Sequence, residues 1–192
     1  LFESSKTHPY RLRRDDFKKY FVGRGLDVGA GEDVLKIPGV EVKGWDLPDG
    51  DAQKLSGVRD DEYDFLYSSH CLEHLVDVEE SLQNWFRVVR PAGWLYIVVP
   101  DYILYEKMTF PSLYNTDHKN TFSLSLPRFK TGRENHFTNV EISRIAERHS
   151  GRLQRFFLED FNYNYSLDCR LDQTVSDGLA QLVFILQKTP LN

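Results

Sequence analysis

The stretch GLDVGAGED, Gly25–Asp33, sets an acid and three glycines in an apolar context and then adds two more acids. With Arg24 ahead of it, RGLDVG reads as a short buried strand, and the glycines read as the turn where that strand ends and backbone approaches a ligand. In an open α/β sheet this turn, where the first strand runs into the first helix, lies among the carboxyl ends of the strands, where nucleotide-like ligands bind. Asp46 ends a second strand, EVKGWD from Glu41, about 20 residues past the start of the glycine loop. A carboxylate at that place accepts both hydroxyls of a ribose.

The rest of the chain agrees with that frame. Phe17, Tyr20 and Phe21 give a helical approach to the first strand, and YDFLYSS from Tyr63 reads as a third strand bounded by acids and serines. Val78, Leu82, Trp85, Phe86 and Val89 recur at helical spacing, with RPAG closing the helix as a turn. WLYIVVP from Trp94 is the near-continuous apolar run of a strand buried on both faces. Val140–His149 reads as a helix, and LQRFFL and QLVFILQ as two further strands. The order predicts an α/β, Rossmann-like three-layer sandwich with right-handed crossovers and a mostly parallel sheet of six or seven strands, the last antiparallel.

Length and composition bound the function classes. No Pro/Gly/Ser-rich linker divides the 192 residues, so one domain over residues 1–192 is expected. A net charge of −5 argues against a protein built to grip nucleic acid, and the run Arg11, Arg13, Arg14, Lys18 and Lys19 reads as a solvated helix face. No apolar run reaches the roughly 20 residues needed to cross a bilayer, and LFESSKTHPY carries no signal-peptide pattern. Cys71 and Cys169 are too few and too far apart for a disulfide framework, which points to the cytoplasm.

The ligand class follows from the loop's charge. A pyrophosphate asks for G-x-G-x-x-G and the positive end of a helix, whereas G-A-G-E-D presents Glu32 and Asp33. Carboxylates repel phosphate and suit a cation. S-adenosylmethionine is a ribose-bearing adenosine with a sulfonium and no phosphate.

From Gly25 to about Lys188 the chain resembles the class I S-adenosylmethionine-dependent methyltransferases, in particular their small-molecule, type 11-like branch. The resemblance rests on D-x-G-x-G at Asp27, Gly29 and Gly31, on Asp46, on the D-A pair Asp51–Ala52, and on SSHCLEHL, Ser68–Leu75. It rests also on WFRVVRPAGWLYIVVP, which is similar to the family's helix, R-x-L-K-P-G-G, strand run. It implies cofactor contacts at Asp27, Gly29, Ala30, Gly31, Asp46, Leu47, Asp51, Ala52 and Ser69, with residues 101–139 as an acceptor-side lid insertion. Two departures stand out: Asp33 replaces the family's third glycine, and the segment from Asp46 to Tyr63 is short, so a helix and a strand of the sheet are expected to be missing there.

Spacing i, i+3, i+4 at a helix start would bring His70, Glu73 and His74 onto one face. Taken alone, H-x-x-E-H is the inverted zinc-peptidase signature, which the glycine loop and ribose-type acid oppose. Some small-RNA and ubiquinone-pathway methyltransferases are similar here, with E-x-x-E-H and a divalent ion, and a fourth ligand would then come from His118 or His136. The favoured expectation is metal-free, with Glu73 and His74 capping and orienting the helix and His70 facing the cofactor pocket.

DHKNTFS from Asp117 and ENHFT from Glu134 fall in the lid, which makes His118 and His136, with His70, the expected bases or acceptor contacts. Tyr102, Tyr105, Phe110 and Tyr114 suit a ring-shaped acceptor or core packing equally. The leading function is methyl transfer from S-adenosylmethionine to a small polar acceptor, on an oxygen of a sugar or related metabolite. The alternatives are a cofactor-binding regulatory module without turnover and the zinc peptidase.

Overall fold

The computed structural model describes residues 3–160 and 178–190; Cys169 lies outside the described residues. Helices α1 (Glu3–Arg11) and α2 (Asp15–Lys18) lead into β1 (Arg24–Val28), β2 (Glu41–Trp45) and β3 (Tyr63–Ser69). A single 3-10 turn, Leu72–His74, precedes α3 (Val78–Val88) and β4 (Val89–Pro100). Then come β5 (Thr121–Phe122), α4 (Arg128–Thr131), β6 (His136–Phe137), α5 (Asn139–Arg148), β7 (Gly151–Asp160) and β8 (Ala180–Lys188).

Six strands form one sheet in the order β2-β1-β3-β4-β8-β7, while β5 and β6 pair separately. β1 to β4 run parallel, and β8 is antiparallel to both neighbours, as expected. Side chains alternate across the sheet. Leu26, Val28, Leu66, Leu95, Ile97 and Phe184 pack on one face with α3 and α5. Phe65, Tyr67, Tyr96, Val98, Val183 and Ile185 pack on the other, beneath Phe17, Tyr20 and Phe21 and beneath Leu35 and Ile37.

Helix α3 forms where the apolar spacing placed it. Asp77 caps it by accepting the Glu80 N–H at 3.0 Å, and Val78, Leu82, Trp85 and Phe86 are buried. The Trp85 indole N–H donates to the Ala52 carbonyl at 2.8 Å, so the ring's apolar body enters the core without stranding its polar edge.

Three expectations are corrected. No helix forms between β1 and β2, where residues 29–40 are turns and extended chain. The short segment after β2 holds neither strand nor helix, as its length led us to expect, and β2 lies at the sheet edge. RPAG is not a turn after the helix: it lies inside β4, where the pairing slips between Tyr63↔Val89 and Phe65↔Trp94 and Ala92 takes φ +65°. Arg11 is not part of a solvated face but is 1% exposed, doubly bonded to Glu159.

The segment 101–139 is rooted in the core. Phe122 is fully buried against Phe184 and Phe137, and Asp101 bridges to Phe122. Tyr102 and Tyr105 are buried too, with rings against His136 and His118 respectively. No helix among the described residues is long and apolar enough to cross a membrane.

Candidate cofactor and acceptor site

The glycine loop is held by three ties. The Gly29 N–H donates to the Trp45 carbonyl at 2.9 Å, which bends the loop over the end of β2. The Ser68 hydroxyl donates to the Val28 carbonyl at 2.9 Å, and the buried Asp27 carboxylate accepts the Leu35 N–H at 2.7 Å. The last bond does what a helix N-terminus would otherwise do: it anchors the chain leaving β1.

The two loop glycines have different reasons. At Gly29, φ +78°, an added Cβ would lie 2.5 Å from the Cys71 Cβ and 2.7 Å from its sulfur. At Gly31, φ +53°, it would meet only the Asp46 Oδ2, at 3.6 Å. Packing therefore forbids a side chain at Gly29, while Gly31 borders open space shared with a carboxylate. Asp46 itself is half-buried; its Oδ1 accepts the Leu47 N–H at 2.7 Å, and the Leu47 side chain beside it is 88% exposed.

Two of the other expected cofactor residues also make bonds within the fold. Asp51 accepts the Gln53 N–H at 2.8 Å, and the Ala52 carbonyl is occupied by Trp85. Ala30 and Ser69 are half-buried at the ends of β1 and β3. Asp33 turns away from the loop's open side and accepts from the Ser5 N–H at 2.7 Å and the Ser5 hydroxyl. Glu32 remains exposed.

Asp27 is the titrating group of this region. Burial pushes its carboxyl up to about 7, the Leu35 N–H holds it down in part, and Asp33 and Asp46 push it further up. A raised acid holds its proton more tightly in the folded state, so its contribution is full below its ordinary value near 3.8 and is lost as pH rises towards 7. Asp27→Asn keeps an oxygen for Leu35 and never ionises. Relative to wild type its stability is expected to rise between pH 5 and 7 by up to about 1.4 kcal/mol per pH unit. Urea unfolding at pH 5, 6, 7 and 8 checks this, and parallel wild-type and variant profiles would refute it.

Beyond β3 the chain turns sharply. His70 takes φ +53°, and the 3-10 turn then carries Glu73 and His74 back towards it. The three side chains converge as the spacing predicted, through this turn rather than an α-helix. His70 Nδ1 stands 3.4 Å, and His74 Nε2 3.9 Å, from Glu73 Oε1. Lys119 and Asn120 donate backbone N–H groups to the Glu73 carbonyl at 2.7 and 3.0 Å, which brings His118 Nε2 to 4.0 Å from the same carboxylate oxygen.

Glu73 does not cap a helix. It is 0% exposed, and neither carboxylate oxygen has a hydrogen-bond partner. Burial pushes its carboxyl up, and His70, with His74 and His118, pulls it back to below its ordinary value. His136, the other expected base or ligand, is kept away from this cluster. It is fully buried, with Nδ1 2.8 Å from the Thr121 hydroxyl and Nε2 2.9 Å from the Leu126 carbonyl. Burial lowers its proton affinity, and both ring nitrogens are already used.

Sequence reasoning passed over the residues that hold these histidines. Asp117 Oδ2 lies 3.0 Å from His74 Nδ1, Glu106 Oε1 lies 2.5 Å from His118 Nδ1, and Gln181 Oε1 lies 2.9 Å from His70 Nε2. Asp117 is adjacent to His118 in the chain; nothing local marks Glu106 or Gln181.

The parallel strands, the glycine turn against Asp46 and the crossover through α3 all lie within residues 26–97, and these residues match the methyltransferase domain family. The fold is that of the class I S-adenosylmethionine-dependent methyltransferases. Solved structures of methyltransferases share it across nearly the whole chain. An S-adenosylmethionine-dependent methyltransferase from Archaeoglobus fulgidus is 19% identical, with 94% of each chain covered and a TM-score of 0.60. One from Methanosarcina mazei is 17% identical, covering 93% of this chain and 99% of its own, with a TM-score of 0.56. The Burkholderia thailandensis 1,6-didemethyltoxoflavin-N1-methyltransferase, solved with 1,6-didemethyltoxoflavin and S-adenosylhomocysteine, is 16% identical over 97% of this chain and 80% of its own, with a TM-score of 0.54. No curated protein matches the chain. In this chain turns and extended backbone follow β1, and β2 forms the sheet edge.

Proposed function

We propose that this chain binds S-adenosylmethionine at the carboxyl ends of β1, β2 and β3 and methylates an oxygen of a small polar acceptor, a sugar or related metabolite. The observation that carries the reading is the open space between Gly31 and the Asp46 carboxylate, in a loop with no helix N-terminus behind it. Without that positive helix end, and with Glu32 exposed, the loop offers little to a phosphate and suits a cationic ligand. Asp46 would hold the ribose hydroxyls, and exposed Leu47 offers an apolar face for the adenine. When bound, the cofactor supplies an electrophilic methyl group on a sulfonium. The protein's part is to position the acceptor oxygen and to take its proton.

Among the three histidines expected to act as bases, His118 and His136 are buried, whereas His70 keeps 15% of its side chain exposed and fits the role of base. Residues 101–139 would shield the acceptor through their exposed parts. A buried free thiol at Cys71 fits a cytoplasmic setting.

Asp46→Ala removes a charged acceptor, and hydrogen bonds to charged groups contribute about 1.5–3 kcal/mol. Calorimetric titration with S-adenosylmethionine is expected to show affinity lowered at least about tenfold in a folded variant. Unchanged affinity would sink the cofactor assignment. Incubation of the protein with a metabolite extract and methyl-labelled cofactor, followed by mass spectrometry, tests the acceptor: a labelled ether or ester supports oxygen, and a labelled amine as the main product refutes it. Cofactor binding with no labelled product would favour the regulatory module.

A further inference from the structure

Buried carboxylates are paired or hydrogen-bonded as a rule, because an uncompensated charge away from water is costly. Glu73 breaks the rule with both oxygens at once, at zero exposure. What surrounds it is a set of imidazole nitrogens at 3.4, 3.9 and 4.0 Å, from His70, His74 and His118. These distances exceed the 2.7–3.2 Å of a well-formed N–H···O bond, and only His70, at 3.4 Å, comes near one. The His74 and His118 separations, 3.9 and 4.0 Å, are those of an ion site slightly too wide. Ligand atoms bonded to one tetrahedral ion at about 2.0–2.1 Å stand about 3.4 Å from each other.

The far sides of the rings supply the second line of argument. His74 presents Nδ1 to Asp117, His118 presents Nδ1 to Glu106, and His70 presents Nε2 to Gln181. An acceptor on one nitrogen places the proton there, and in a neutral ring the other nitrogen then carries a lone pair. In its neutral form each ring therefore turns a lone pair towards the Glu73 carboxylate, the form in which it can ligate an ion. Lone pairs facing a carboxylate repel it unless a cation lies between them. A carboxylate or carbonyl behind each ligating histidine is also the arrangement that orients imidazoles on metals. Glu106 adds to the demand for positive charge: it is 1% exposed, and its Oε2 has no partner.

We infer that Glu73, His74 and His118 form a site for a divalent transition-metal ion, with His70 bordering its open side. One oxygen or nitrogen from each of the three lies within 4.8 Å of the others, so closure on an ion asks for a movement of about an ångström. The clamp from Lys119 and Asn120 to the Glu73 carbonyl keeps His118 and Glu73 together across 45 residues of chain. Two imidazoles and one carboxylate suit zinc or ferrous iron and suit magnesium poorly. Three protein ligands leave a coordination position free, as in sites that also take water or an oxygen ligand. This reverses the metal-free expectation and replaces His136 with His118.

The test uses the full chain, stripped with a chelator and dialysed, then titrated with Zn²⁺ against a competing chelator and separately with Co²⁺. The expected results are one equivalent of zinc, visible cobalt bands of low-coordinate nitrogen and oxygen ligation, and a melting temperature that rises with zinc. His74→Asn and His118→Asn are each expected to weaken zinc binding at least about 100-fold, since losing even an outer partner costs 10–100-fold. His149→Asn, at a surface histidine beside Glu79, should leave it unchanged. If His118→Asn does not fold, the partly exposed His74 and the isosteric Glu73→Gln carry the test. Failure of the folded wild-type chain to hold zinc or cobalt near one equivalent would overturn the site, as would wild-type affinity in the folded His74→Asn protein or preference for magnesium over zinc. None of these measurements involves cofactor or turnover, so their failure is distinct from failure of the methyl-transfer reading.

Discussion

Arg11→Leu is expected to lower the stability of the folded chain by about 3–5 kcal/mol, the range for stranding one member of a buried ion pair. Arg11 and Glu159 are 1% and 3% exposed at their side chains, and the guanidinium holds the carboxylate through both Nε and an NH2 group. The third guanidinium nitrogen, Nη1, donates to the Tyr67 hydroxyl at 2.9 Å, and Gln181 donates to Glu159 at 2.7 Å. Leucine in place of Arg11 leaves the Glu159 charge under α1 with only an amide for company. For a chain of this size the melting temperature should fall by about 10–15 °C. The double variant Arg11→Leu/Glu159→Leu removes both charges and should recover most of the loss, because a buried pair contributes little beyond an apolar pair of similar volume. Calorimetric melts of the three proteins decide the matter; a single variant as stable as wild type would show that Glu159 is solvated. The variant also has a distant consequence. Gln181 bonds both Glu159 and His70, so the strap reaches from the first helix to the edge of the histidine cluster.

Gly29→Ala should cost about 2–5 kcal/mol. The left-handed φ of +78° contributes about 1–2 kcal/mol for a residue with a Cβ, and overpacking against Cys71 adds about 1–3 kcal/mol. Gly31→Ala meets no such neighbour and should cost only the backbone part, about 1–2 kcal/mol. Denaturant midpoints should thus separate two glycines that the D-x-G-x-G pattern treats alike. Pairing Gly29→Ala with Cys71→Ala removes the sulfur at 2.7 Å and should restore part of the loss. Equal midpoints for Gly29→Ala and Gly31→Ala would refute the packing account.

The sheet was legible in the chain because its physics is local. β3 and β4 are buried on both faces, so YDFLYSS and WLYIVVP could only be near-continuous apolar runs, and α3 carries its apolar spacing because one face of it meets the sheet. The glycine turn and Asp46 were legible for a related reason: both sit where a strand ends, and strand ends follow from the strands. Tertiary structure decided what depends on residues far apart in sequence. Arg11 belongs to a charged run, and only Glu159, 148 residues away, makes it a buried side chain. His118 and His136 look alike in sequence as lid histidines. The clamp on the Glu73 carbonyl turns one towards that carboxylate, and the β5–β6 pair turns the other inward to Thr121 and Leu126. RPAG has turn chemistry, yet sheet pairing with β3 absorbs it as an irregularity. Apolar periodicity reports which face of an element is buried; the partner of a buried charge or imidazole is set by where the chain returns, and no local pattern records that.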